Sequence, residues 1–71
     1  MSWDQIVGKN VRRVREKLGL TQEALAGEAG LAMRHLGRIE RAEISPTVEM
    51  LSRLATALKV EPGEFFQRNE A

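Results

Sequence analysis

The sequence predicts an all-α domain, a compact bundle of five short helices, on three observations. Apolar residues recur at steps of three and four along most of the chain, which is the spacing of one face of an α-helix. No segment alternates apolar and polar residues as a half-buried strand does. Glycine and proline fall mainly between the periodic segments, at positions where helices end or begin.

Length and composition narrow the classes of protein to which the chain can belong. Its 71 residues make one domain, with little room for both a core and an enclosed catalytic cleft. There is no cysteine and only one histidine, His35, so neither a disulfide framework nor a zinc site is expected. Because no apolar run approaches the ~20 residues of a membrane span and no secretory signal opens the sequence, we expect a soluble cytoplasmic protein.

The first predicted helix runs from about Trp3 to Leu18. Ser2 and Gln5 have the spacing of a capping box, and Gly19 is a natural C-terminal stop. The stripe expected to face the core consists of Trp3, Val7, Val11, Val14 and Leu18.

The next two helices are short and are separated by a glycine. Helix 2 is expected to begin after the cap Thr21 and to end at Gly30, and helix 3 to run from residue 32 or 33 to Arg41. Two helices that cross through a tight turn need a small residue at the crossing, which Ala26 supplies. The residues expected to face inward are Ala24, Leu25, Ala29, Leu36 and Ile39.

The last two helices follow turns that contain proline. Thr47 is expected to cap helix 4, and Pro62 to open a short helix 5 that carries Phe65 and Phe66. We expect one domain at residues 1–66 and a short tail at 67–71. The inward residues predicted for helix 4 are Val48, Leu51, Leu54, Ala55 and Leu58.

Positive charge is concentrated in the first part of the sequence, and three of its arginines lie on helix 3. Residues 1–42 hold eight Lys/Arg and five Asp/Glu, a balance of +3, whereas residues 43–71 hold three and five, a balance of −2. At 100° per residue, Leu36, Ile39 and Glu40 share the inner side of helix 3. The outer side carries Arg34, Arg38 and Arg41. An arginine front suits the DNA major groove, because a guanidinium can hold guanine O6 and N7 together; the alternative is a solvated helix surface.

A series of short motifs at fixed spacings resembles the Xre-type family of phage repressors and Cro proteins. The motifs are GLTQEALA at 19–26, GL at 30–31, LGRIER at 36–41 and SPT at 45–47. The resemblance covers about residues 5–66. It implies a DNA-binding domain of the phage repressor type, with the helix-turn-helix in helices 2 and 3.

The resemblance also implies roles for individual residues. Gln22 matches a glutamine that holds a DNA phosphate and braces the recognition helix. The N-terminus of helix 2 suits a phosphate through its free N–H groups and its positive dipole end, and Thr21 is expected to add its hydroxyl or its N–H. A second phosphate contact falls near Arg41. A solvent-exposed polar residue is the alternative for Gln22. The expected base contacts are Met33, Arg34 and Arg38.

The sequence departs from the family pattern at both ends of helix 3. Ala32 stands in place of the usual Ser or Thr cap, and Ala42 in place of a glycine that normally closes the helix. Because a left-handed backbone favours glycine, strain or an altered turn is expected at Ala42. Gly37, inside the helix, costs up to ~1 kcal/mol against alanine.

Two further contacts are expected, one within the chain and one between chains. Arg15 and Glu40 lie at the edges of buried helix faces, and the family has an arginine–glutamate pair there, so we expect an ion pair; two independent surface charges are the alternative. Adjacent residues on a helix point about 100° apart, so Phe65 and Phe66 cannot both face the core. A dimer contact is expected at Ile44, Phe65 and Phe66.

These observations favour sequence-specific binding of double-stranded DNA by a stand-alone transcriptional regulator, a repressor or autoregulator that binds a palindromic operator as a homodimer. The alternative is a protein-interaction module, such as an antitoxin or anti-repressor, with the same fold. No nucleophile–base or metal constellation is apparent in the sequence, so no enzymatic activity, cofactor, metal or small-molecule ligand is expected.

Overall fold

The structure, a computed structural model, describes residues 1–68, and within that range it contains four α-helices and one 3₁₀ helix. The elements are α1 (Trp3–Lys17), α2 (Gln22–Ala29), α3 (Met33–Glu40), α4 (Val48–Leu58) and a 3₁₀ helix at Pro62–Phe66. The all-α class and the four longer helices are therefore confirmed. Residues 69–71 of the predicted tail lie outside the described range.

The prediction of a fifth α-helix is wrong, because the chain after Pro62 forms only a five-residue 3₁₀ helix. Asn10 of α1 explains where this segment stops. Its buried side-chain amide donates to the main-chain oxygens of Phe65, at 2.9 Å, and Gln67, at 2.8 Å. These bonds fix the backbone at residue 67 in an extended conformation, so the helix cannot continue.

Most of the predicted starts and ends of the helices are confirmed. Ser2 and Gln5 form a reciprocal capping box, and the hydroxyls of Thr21 and Thr47 accept from main-chain N–H groups in the first turns of α2 and α4. The glycines at 19 and 30 are left-handed, with φ of 72° and 73°. By contrast, α3 follows an N-cap residue, Ala32, that makes no side-chain capping bond, as the departure from the family pattern predicts.

One apolar core joins all the elements. α1 packs on α3 and on the 3₁₀ helix, and α2 packs on α3 and α4. Phe65 lies in this core with no exposed surface. The other large apolar side chains that are fully buried are Val11, Leu25, Leu36, Ile39, Leu54 and Leu58.

The predicted core is wrong at four positions near helix ends. Trp3 and Leu18 lie at the two ends of α1, where the neighbouring elements cover the stripe only in part, and both are more than half exposed. Ala24 and Val48, in the first turns of α2 and α4, are also exposed. The α1 face instead gains Ile6 and Asn10. Within the described residues, no helix is long and apolar enough to cross a membrane.

Gly8 sets the distance between α1 and α3. A Cβ atom at this position would lie 2.6 Å from the main-chain oxygen of Ile39 and 2.7 Å from that of Glu40. Both neighbours are backbone atoms and cannot rotate away. The last turn of α3 therefore lies directly on the backbone of α1, and only glycine permits this approach.

We predict that Gly8→Ala destabilises the protein by at least ~1–3 kcal/mol, the cost of overpacking a well-packed site. Gly27→Ala is the matched control, because it adds the same methyl group to a helix in open space. It should stabilise by ~0.5–1 kcal/mol, the helix preference for alanine over glycine. Urea unfolding measures both variants, and equal effects would show that α1 and α3 do not touch at Gly8.

Candidate nucleic-acid interface

α2 and α3 form a helix-turn-helix around Gly30. The left-handed backbone of Gly30 turns the chain, and the N–H of Leu31 donates to the oxygen of Ala26 at 2.9 Å, which closes the end of α2. Ala26 is buried. The small residue and the glycine thus lie where two helices that cross through a tight turn require them.

α3 has one buried side and one charged, exposed side. Leu36 and Ile39 have no exposed surface and attach the helix to the core. The opposite, outer side carries exposed side chains, including those of the three residues expected to contact bases. The exposed residues of this region are Met33, Arg34, Arg38 and Arg41.

Arg15 and Glu40 form the ion pair that the sequence predicts. Arg15 Nε lies 2.7 Å from Glu40 Oε2, and Nη2 lies 3.1 Å from Oε1, so the contact is bidentate. The two side chains are only 11% and 3% exposed. The hydrogen bond to Glu40 raises the pKa of Arg15, although burial acts in the opposite direction. Arg15 Nη1 also donates to the main-chain oxygen of Leu20, at 2.8 Å, which binds α1 to the start of the helix-turn-helix.

Gln22 completes this network from α2. Its Nε2 donates to Glu40 Oε1 at 2.9 Å, so one carboxylate accepts from side chains of two other helices. Thr21 lies next to Gln22 and caps α2. The bracing contact of Gln22 is therefore present, while the phosphate contacts of Thr21 and Gln22 stay predictions.

Arg41 lies across the middle of α3 and is held there by Glu43. A methyl group at Gly37 would lie 3.0 Å from Arg41 Nη1 and 3.6 Å from Gln22 Oε1. Arg41 Nε donates to Glu43 Oε2 at 2.8 Å. Between these residues, Ala42 adopts a left-handed φ of 61°, the strained backbone expected from an alanine in place of glycine.

The residues expected at a dimer contact are only partly at the surface. Phe65 is wrong as a contact residue, because its side chain is fully buried in the core of its own chain. Phe66 is 44% exposed, and Ile44 is half-buried against the core. Trp3, expected in the core, lies beside Phe66 with 6.1 Å between ring centroids, and the Arg68 guanidinium lies 4.9 Å from the Trp3 ring.

Residues 1–68 contain no group of three or more His, Cys, Asp or Glu side chains placed to hold a metal ion. His35 Nε2 lies 3.2 Å from Met50 Sδ and has no carboxylate beside it among its described contacts. A pocket of about 320 Å³ opens beside α1 and is lined by Met1, Ile6, Lys9, Asn10, Arg13, Gln67 and Arg68.

A family described as helix-turn-helix matches residues 11–65. The chain belongs to this family. The match begins inside α1 and ends at the buried Phe65, so it covers the helix-turn-helix and the core that supports it. The resemblance to Xre-type regulators is thereby confirmed.

The chain is similar to proteins named as transcriptional regulators and controller proteins. The uncharacterized HTH-type transcriptional regulator y4dJ of Sinorhizobium fredii is 40% identical over 60 residues, which cover 84% of this chain and 78% of that protein. The restriction-modification controller protein C.AhdI of Aeromonas hydrophila superposes with a TM-score of 0.87 at 36% identity, over 89% of this chain and 96% of that one.

A third similarity is to a repressor solved on DNA. The P22 c2 repressor, in complex with synthetic operator 9T, superposes with a TM-score of 0.80 at 31% identity, over 86% of this chain and 92% of that one. Together the comparisons support a DNA-binding transcriptional regulator as the class of function.

Proposed function

We propose that the chain is a regulator that binds double-stranded DNA sequence-specifically by placing α3 in the major groove. The observation that carries the proposal is the exposed arginine side of α3 on a helix whose other side is fixed to the domain. Two apolar residues hold α3 in the core, and Glu40 ties its end to α1 and α2. A rigid helix of this kind can present its side chains to base edges in one register.

Base reading and phosphate binding fall to different residues in this proposal. Arginine holds guanine O6 and N7 with two hydrogen bonds, and an apolar side chain such as Met33 suits a thymine methyl group. Thr21, Gln22 and Arg41 hold phosphates, since the α2 N-terminus offers its positive dipole end close to the Arg41 guanidinium. The residues proposed to contact bases are Met33, Arg34 and Arg38.

We further propose that two chains bind a palindromic operator, with half-sites about one helical turn, ~34 Å, apart. The exposed ring of Phe66, next to Trp3, is an apolar surface that a second copy would cover. Half-buried Ile44 would belong to the same contact, since its neighbour Ser45 donates to Asp4, next to Trp3, at 2.6 Å. Such a regulator acts in the cytoplasm, either as a repressor of other genes or as a regulator of its own gene, and it needs no cofactor. A protein-interaction module is less well supported, because the exposed arginines on the outer side of α3 suit an anionic partner, and the P22 c2 repressor, which is 31% identical, is bound to operator DNA.

Arg38→Ala should weaken binding to the preferred sequence by ~1–3 kcal/mol and relax the preference at one base pair. Arg53→Ala, in α4, is the matched control because its side chain is equally exposed, 49% in both cases, and also faces a glutamate. It should leave binding unchanged. Fluorescence anisotropy on DNA selected from a random pool measures both variants. Equal losses, or wild-type affinity that does not fall with salt, would contradict the proposal.

Phe66→Asp should yield a folded monomer that binds the palindrome weakly, since a buried unpaired carboxylate opposes dimer formation. Val48→Asp is the control, because Val48 is 84% exposed and an acidic residue suits a helix start. Sedimentation equilibrium gives the oligomeric state and circular dichroism checks the fold. A wild-type chain that is monomeric both free and on the palindrome would refute the dimer.

A further inference from the structure

Glu43 lies in the turn after α3, and its carboxylate contacts two arginines on the outer side of that helix. Its Oε2 is 2.8 Å from Arg41 Nε, and its Oε1 is 3.4 Å from Arg41 Nη2. The same Oε1 is 3.7 Å from Arg38 Nε. One carboxylate therefore faces the guanidinium proposed to bind a phosphate and the guanidinium proposed to read a base.

The backbone places Glu43 there. The N–H of Ala42 donates to the oxygen of Ile39 at 3.0 Å, and the N–H of Glu43 donates to the oxygen of Arg38 at 2.9 Å. Together with the left-handed φ of Ala42, these bonds turn the chain back over the last turn of α3. The position of Glu43 is thus a consequence of how α3 ends, because these main-chain bonds attach its backbone to the last turn of the helix.

The contact resembles the one that a DNA phosphate would make. A carboxylate and a phosphate both present paired oxygens, and arginine binds both with parallel N–H donors. The hydrogen bond from Arg41 lowers the pKa of Glu43, so the carboxylate is ionised at neutral pH. Reciprocally, the hydrogen bond to Glu43 raises the pKa of Arg41.

We infer that Glu43 is a built-in competitor of DNA, a carboxylate that occupies the donors of Arg41 and partly neutralises Arg38 until nucleic acid displaces it. This inference rests on the proposed DNA-binding role of those arginines. Specific and non-specific complexes both require the displacement, so Glu43 weakens binding to DNA of any sequence by a similar factor. The factor is small because the pair is exposed and its free energy is screened by solvent.

The test is a mutant cycle on a short fluorescein-labelled duplex of arbitrary sequence at physiological ionic strength. Glu43→Gln should bind about two- to fivefold more tightly than the wild type, the range that an exposed ion pair supplies. In an Arg41→Met background, the same substitution should give little or no gain, because the donor that Glu43 blocks is gone. Glu49→Gln, which breaks the Glu49–Arg53 pair of 2.6 Å in α4, is the control and should leave affinity unchanged.

Other outcomes would overturn the inference in distinguishable ways. An equal gain with and without Arg41 would mean that Glu43 only repels DNA phosphates. A loss of affinity in Glu43→Gln would mean that the carboxylate orients the arginines for binding. In both cases Arg41→Met alone still weakens binding, so the proposed interface stands. If Arg41→Met alone leaves binding unchanged, Arg41 does not hold DNA, and the interface assignment fails together with the inference.

Discussion

The position of α3 depends on the carboxylate of Glu40. This group is almost fully buried, and it accepts hydrogen bonds from Arg15 of α1 and Gln22 of α2. A buried carboxylate without these partners would be costly, so the three helices are constrained to the one arrangement that brings the donors together. The backbone contact at Gly8 sets how closely the end of α3 approaches α1, and the ion pair fixes the side chains around that contact.

This constraint matters because α3 is a weak helix by local criteria. It has eight residues, begins without a side-chain cap and contains a glycine. An isolated helix of that length is not stable in water. Its rigidity must come from tertiary contacts: Leu36 and Ile39 in the core and the Glu40 network at its end. The same ending turns the chain through a left-handed Ala42 and places Glu43 against Arg38 and Arg41 on the outer side of α3. One turn therefore ends α3 and also reduces the positive charge of its outer side.

Patterns that depend on neighbouring residues could be predicted from the sequence, whereas contacts between distant residues could not, apart from the Arg15–Glu40 pair, which the resemblance to the family implied. The caps at Ser2, Thr21 and Thr47 and the periodic core residues follow from local rules. A fifth helix is expected from Pro62 onward, but the bonds from Asn10, more than fifty residues away in sequence, hold the chain extended where this segment ends. Helix periodicity also says nothing about where neighbouring helices end, which is why Trp3 and Leu18 are exposed. The contact of Glu43 with Arg38 and Arg41 was not predicted, because it depends on the left-handed backbone at Ala42, which the spacing of the three residues does not reveal.

A double-mutant cycle with Arg15→Met and Glu40→Leu, measured by urea unfolding, tests the role of the Glu40 network most directly. Each single variant leaves a buried charge without its partner and should lose ~3–5 kcal/mol, whereas the double variant should be much less destabilised than the sum, since desolvation offsets most of the attraction within the pair. Additive effects below ~1 kcal/mol, the range of independent surface charges, would contradict the account.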